Sequence, residues 1–171
     1  MGRMKAQLSP PDSHHLLAAA GWLELGNPQE ALLELNRIAP ALTDNFFVLE
    51  MAWALHATQN NWVEALPIAL RLVELHPDES TSWLHYAYAL RRAPEGSVEK
   101  AWQALFPAAE KFPDESTIPF NLACYACQLG EFDNARMWLQ KAMKTGGAKE
   151  IRGRALQDED LRKLWPEIQG W

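Results

Sequence analysis

One small residue keeps returning along this chain. Taken at the alanine that follows each Gly/Asn-containing turn, the series is Ala31, Ala65, Ala101 and Ala135, with steps of 34, 36 and 34 residues. Gly26, Asn60, Gly96 and Gly130 each stand five residues before their alanine, and Pro77 and Pro113 each lie twelve after Ala65 and Ala101. A period of this length means supersecondary units that cannot bury their apolar faces alone and must stack. On both sides of the turns the apolar residues recur at helical spacing, as in Leu122, Tyr125, Ala126 and Leu129, then Phe132, Ala135, Leu139 and Ala142. Each unit is therefore a helical hairpin. The expected fold is all-α, an α-solenoid of about four hairpins over residues 12–45, 46–78, 79–114 and 115–147, after a loose lead-in at 1–11 and before a capping segment at 148–171.

Small side chains have a physical reason to sit where they do. Two helices of a hairpin approach closely only where a side chain nearly vanishes, which assigns the contacts to Ala19, Ala31, Ala65, Ala123 and Ala135. Trp53 departs from that pattern, and the third unit carries Pro94 before Gly96 with two extra residues in its turn. Pro67 and Pro107 lie well inside second helices, where a proline costs ~3 kcal/mol in an ideal helix, so kinks are expected at both. Gly146-Gly147 should stop the last repeat helix. After it, Asp158 should start one capping helix over about 158–165, with Leu161, Leu164 and Trp165 as its buried stripe.

The period, the hairpins, and the order of residues in "FNLACYACQLGEFDNARMWLQKAM" (Leu122, Ala123, Gly130, Phe132, Ala135, Leu139, Ala142) together resemble the tetratricopeptide repeat family over roughly residues 12–147. The second unit matches through Leu49, Ala52, Trp62, Ala65, Leu72 and Pro77, and the first through Ala18, Ala19, Trp22, Gly26, Ala31 and Leu35. The resemblance implies that first helices line a concave groove. It also implies a protein partner, as in family members that hold a heat-shock protein's C-terminal carboxylate with Lys, Asn and Arg. Here the corresponding places carry Leu16 and Ala20, then Met51, then Thr81 and His85, so that clamp is absent. In size, acidity and repeats the chain is also similar to bacterial type III secretion chaperones, although those normally have three repeats.

Composition narrows the function classes. The chain has 171 residues, 48% of them hydrophobic, enough to bury a sizeable core. A net charge of −6 and no basic run longer than Arg91-Arg92 argue against nucleic acid. Ser9, Pro10, Pro11 and Asp12 stand where a secretory signal needs an apolar run, Ala6 stands where a myristoylation motif wants Ser or Thr, and no stretch is long enough to span a membrane. With two cysteines and no disulfide framework, a cytoplasmic location is expected.

Candidate chemistry is sparse. Cys124 and Cys127 form a C-x-x-C on the groove side of a helix, but mid-helix, away from the dipole end that lowers a thiol pKa, and with no second ligand pair for zinc. His14 and His15 point to different faces of a helix start. Trp22, Trp62 and Trp83 occupy core positions, while the other tryptophans leave room for stacking on a second copy. No phosphate loop, nucleophile elbow or H-E-x-x-H occurs. The expectation is a non-enzyme without cofactor, metal or catalytic residues.

The inward positions of the first helices then supply the binding surface. They are Leu16, Leu17, Ala20 and Glu24; Phe47, Glu50, Met51 and Ala54; Leu84, His85, Tyr88, Arg91 and Arg92; and Phe120, Asn121, Cys124 and Gln128. From these, Phe47, Glu50, Met51, Leu84, His85, Tyr88, Arg91, Arg92, Phe120, Asn121 and Cys124 are the expected groove, apolar with a few polar markers and suited to a segment of another protein. A self-associating scaffold, or a chaperone like those of type III secretion, is the alternative.

Overall fold

A computed structural model describes residues 8–171. Of the expected lead-in at 1–11, the first seven residues lie outside this range. The described residues form helices and no strand. They divide into two compact units, one ending at His85 and the other running from Tyr86 to Trp171.

In the first unit, α1 (Asp12–Glu24) pairs with α2 (Pro28–Leu35), and α3 (Phe46–Thr58) with α4 (Trp62–Leu75), while α3 also packs on α1 and α2. Ala19, Ala31, Ala65 and Ala69 are fully buried, as close helix approach requires. Leu55 joins Ala19 and Ala31 in one cluster that Met51 packs against, and Phe46, Leu49 and Leu72 form another, flanked by Trp53. The turns are built locally. Asn27 Oδ1 accepts the Glu30 N–H, and Pro28 opens α2 where its missing N–H costs nothing. Gly26 and Asn60 take positive φ values of 73° and 56°, the left-handed step that reverses the chain.

The boundary between the units runs through α5 (Ser80–Arg92). Beyond it come α6 (Val98–Leu105) and α7 (Ala108–Lys111), then the hairpin of α8 (Thr117–Gln128) and α9 (Phe132–Gly146). Gly96 is obligatory in the irregular turn of the third repeat, since a Cβ there would sit 1.6 Å from the Leu90 carbonyl oxygen.

The two internal prolines behave differently. α4 continues through Pro67, whereas the expected second helix of the third repeat ends at Leu105 and resumes at Ala108 after Phe106 and Pro107. Val63, whose carbonyl Pro67 leaves without its helical donor, is exposed, so water can serve it.

The C-terminal cap is larger than one helix. Gly147, at φ 87°, turns the chain out of α9 into α10 (Ala148–Ala155), an element whose sequence, with Gly153 inside it, lacks a clear apolar stripe. α10 packs on α9 and buries Ile151 and Ala155. Asp158 does act as a cap, accepting the Asp160 N–H, but the element it caps is a 3₁₀ turn over Glu159–Leu164, succeeded by the short α11 (Trp165–Ile168). Leu161, Leu164 and Ile168 are buried as a cap requires, and Trp165 is half-buried with its Nε1 donating to the Ala155 carbonyl at 2.9 Å.

Candidate functional site

The expected groove residues fall on both units, Phe47, Glu50, Met51, Leu84 and His85 on the first, and Tyr88, Arg91, Arg92, Phe120, Asn121 and Cys124 on the second. Their surroundings differ sharply.

On the second unit the first-helix face is occupied by the chain itself. Residues 156–164, here called the strap, pack along α8. Phe120 and Cys124, expected on an open surface, are buried instead. The Arg154 guanidinium lies 4.0 Å from the Phe120 ring centroid, the Cys124 thiol points at Asp158 Oδ2 at 3.8 Å, and Gln128 Nε2 donates to the Asp160 carbonyl at 3.3 Å. Arg91 closes the arrangement with a two-pronged clamp. Its Nη2 donates to Asp160 Oδ1 at 2.6 Å and its Nη1 to Oδ2. Both side chains are about four-fifths covered, so the pair is more than a surface contact. Arg91 is therefore not an open groove cation. Arg92 lies over the Tyr88 ring at 3.5 Å and donates to the Tyr88 carbonyl.

Electrostatics follow from this packing. Burial pushes the Cys124 thiol well above its ordinary value, and the Asp158 and Asp160 carboxylates push it further. Cys127 is raised by burial too. Both thiols are therefore protonated near neutrality, the opposite of a redox or nucleophilic cysteine. The Arg91 pKa is raised by its hydrogen bonds to Asp160, while burial lowers that of Arg92.

Cys124, Asp158 and Asp160 bring one potential ligand atom each within 4.8 Å of the others. The donor set does not suit a metal. Both Asp160 oxygens serve Arg91, Asp158 Oδ1 accepts the Asp160 N–H, and a cation would sit beside the guanidinium.

Among the described residues of the first unit, no segment comparable to the strap packs along α1 or α3. Phe47 is 39% exposed, and Leu17 and Leu25 are 71% and 77% exposed. Glu50 faces His85, Oε1 to Nε2 at 3.5 Å, and the His85 ring stacks on Trp53 with centroids 3.7 Å apart and planes 13° from parallel. His15 is not merely a solvated helix start, because its Nδ1 meets Glu34 Oε2 at 2.7 Å. Trp22, expected in the core, is more than a third exposed, whereas Trp62 and Trp83 are half-buried, Trp83 donating to the Pro77 carbonyl.

Charge separates the units as well. Residues 8–85 hold ten carboxylates against two arginines, and both arginines are engaged, Arg37 with Glu34 and Arg71 with Asp44. Residues 86–171 hold twelve of each sign.

The residues that the repeat pattern missed are Arg154, Asp158 and Asp160. Their partners are 34 to 69 positions away, beyond any local spacing rule. The available signal was that the outward stripe of α8, Phe120 and Cys124, is apolar where a terminal repeat should be polar unless covered.

No family model and no curated protein matches the chain. Solved structures do. MamA from Desulfovibrio magneticus RS-1, residue 41 to its end, superposes with a TM-score of 0.69 at 13% identity, covering 96% of each chain. A thermophilic TPR protein of Thermus thermophilus gives 0.68 at 21% identity, over 92% of this chain and 82% of that one. Another MamA crystal structure gives 0.70 at 14% identity, over 82% and 81%. At these identities the likeness is one of fold. No described helix is long and apolar enough to cross a membrane.

Proposed function

From a chain that has the tetratricopeptide-repeat fold, we propose a non-catalytic protein-interaction module that holds a segment of another protein on the first-helix face of residues 8–85. The fold is that of interaction scaffolds generally, and the finer assignment rests on one observation. In residues 86–171 the same kind of face already holds a short segment, the strap, which packs along α8 with two buried leucines and a charged clamp. The helices of this repeat therefore have the shape and chemistry to seat such a segment. On the first unit α1 and α3 leave Leu17 and part of Phe47 exposed, and aromatic and apolar anchors of that kind dominate interface energetics. The buried Cys124 is held protonated, which does not favour nucleophilic chemistry there.

The test uses a photo-crosslinking amino acid placed at Phe47 in one version of the full chain and at Leu70 of α4, also exposed, in another. In extracts of the source cells the first should give a discrete adduct that excess unlabelled protein competes away, and the second should not. Adducts only from Leu70 would move the site off the first helices.

A further inference from the structure

The strap gives this fold's own example of what the face binds, and the repeat register carries that example to the first unit. Phe120, Cys124 and Gln128 stand fifteen, eleven and seven residues before Ala135, and each touches the strap or its lead-in. Counting back the same distances from Ala31 gives Leu16, Ala20 and Glu24, and from Ala65 gives Glu50, Ala54 and Thr58. The middle position is small both times, which leaves room for a ligand's anchor. An acid stands at one end of each trio. Sign is where the faces part. On the second unit a cation, Arg91, selects the strap's Asp160. Neither α1 nor α3 contains a lysine or arginine, the two arginines elsewhere in residues 8–85 are engaged with carboxylates, and the unit that ends at His85 carries an excess of six negative charges with Arg3 and Lys5 counted.

We propose that the α1–α3 face of residues 8–85 takes a basic amphipathic segment of a partner protein, with apolar anchors about three residues apart and Lys or Arg where the strap carries Asp. This rests on the face being the docking site, as proposed above. An acidic segment would find no clamp there and would be repelled by Glu24, Glu50 and the surrounding field. A basic one is attracted from a distance and gains its register from the two glutamates. The strap itself supports the anchor spacing, since Leu161 and Leu164 are its two fully buried side chains, three residues apart.

A display library of twelve-residue peptides decides the matter, with two leucines fixed three apart and all other positions random, selected on the full chain in moderate salt so that unspecific attraction is screened. The expected winners are enriched in Lys and Arg. They should bind Glu24→Lys/Glu50→Lys at least tenfold more weakly, with Glu24→Gln/Glu50→Gln intermediate and helicity unchanged. Winners that are acidic or without preference of sign, yet still lose affinity with Phe47→Ala, would overturn the basic partner and leave the face standing. Winners insensitive to all of these variants would overturn the face itself. Concentration-dependent pairing of the chain that blocks the winners would make a second copy the occupant and overturn the proposal.

Discussion

Two faces built on the same repeat register meet opposite fates in this molecule. In residues 86–171 the first-helix face is covered by the chain's own strap, and the unit is electrically balanced. In residues 8–85 the matching positions stay uncovered by any such segment, and negative charge accumulates around them. Phe120 and Phe47 make the contrast concrete, two phenylalanines expected on one kind of surface, of which the first is fully buried and the second well exposed. A repeat thus sets where a face lies, while sequence outside the repeat sets whether that face is available.

The largest effect that tests this contrast is on stability. Phe120→Ala should remove a buried aromatic and cost about 3–5 kcal/mol, unfolding residues 86–171 at markedly lower denaturant, whereas Phe47→Ala should change stability by less than about 1 kcal/mol. Chemical denaturation of both variants, with hydrogen exchange to tell the units apart, reads the two numbers. Similar losses from both would erase the distinction between a covered and an open face. The C-terminal cap belongs to the same test, because Leu161 and Leu164 should each contribute ~1.5–3 kcal/mol by burial.

Next in size is the clamp. Replacing Arg91 with Met or Asp160 with Asn leaves one partly covered charge without its partner, at a cost of about 1.5–3 kcal/mol for a charge-assisted pair, discounted for the fifth of each side chain still in water. The cysteines report on whether the strap lifts. Burial and two nearby carboxylates keep Cys124 protonated, so a thiol reagent at pH 8 should react slowly with the native protein. In Asp160→Asn the reaction of Cys124 should quicken severalfold before any global unfolding, because the strap is tied less firmly. An unchanged rate would mean that Leu161 and Leu164 hold the strap alone and that the clamp only orients it.

Much of this was legible in advance, and the reasons are local. The alanine register, the glycine or asparagine at each turn, the stop at Gly146-Gly147 and the cap at Asp158 all follow from contacts within a few residues or within one hairpin. The fold class therefore came through. The features that did not come through depend on long-range placement. α10 carries a glycine and too short an apolar stripe to announce itself, and it forms because α9 offers Ile151 and Ala155 a surface. Arg91 was expected as a groove residue because its partner is 69 residues away. Pro107 broke its helix and Pro67 did not, although both read alike as interior prolines. Of the candidate groove, Phe47 stayed exposed and Glu50 half-buried against His85, while Phe120 and Cys124 turned out to be interior.

The smallest expected effect concerns salt, and its sign separates the units. At low ionic strength charges feel one another over about 30 Å, and at 1 M over about 3 Å. In residues 8–85 ten carboxylates outnumber two arginines, so the average carboxylate faces repulsion, and screening should relieve it. The pairs Arg37–Glu34 and Arg71–Asp44 oppose that gain, but exposed pairs are each worth only about 0–1 kcal/mol. In residues 86–171 there is no net charge to relieve, while Arg91–Asp160 and the exposed Arg136–Glu167 pair are weakened by the same screening. Hydrogen-exchange protection in 10 mM and 500 mM sodium chloride should therefore rise in α1–α4 and hold or fall slightly in α8–α10, by no more than about 1 kcal/mol either way. Equal shifts of one sign in both units would show that the charge excess on the first unit is too dispersed to act as a field. It would then guide no basic segment to the α1–α3 face from a distance, and any preference for one would have to come from contact with Glu24 and Glu50 alone.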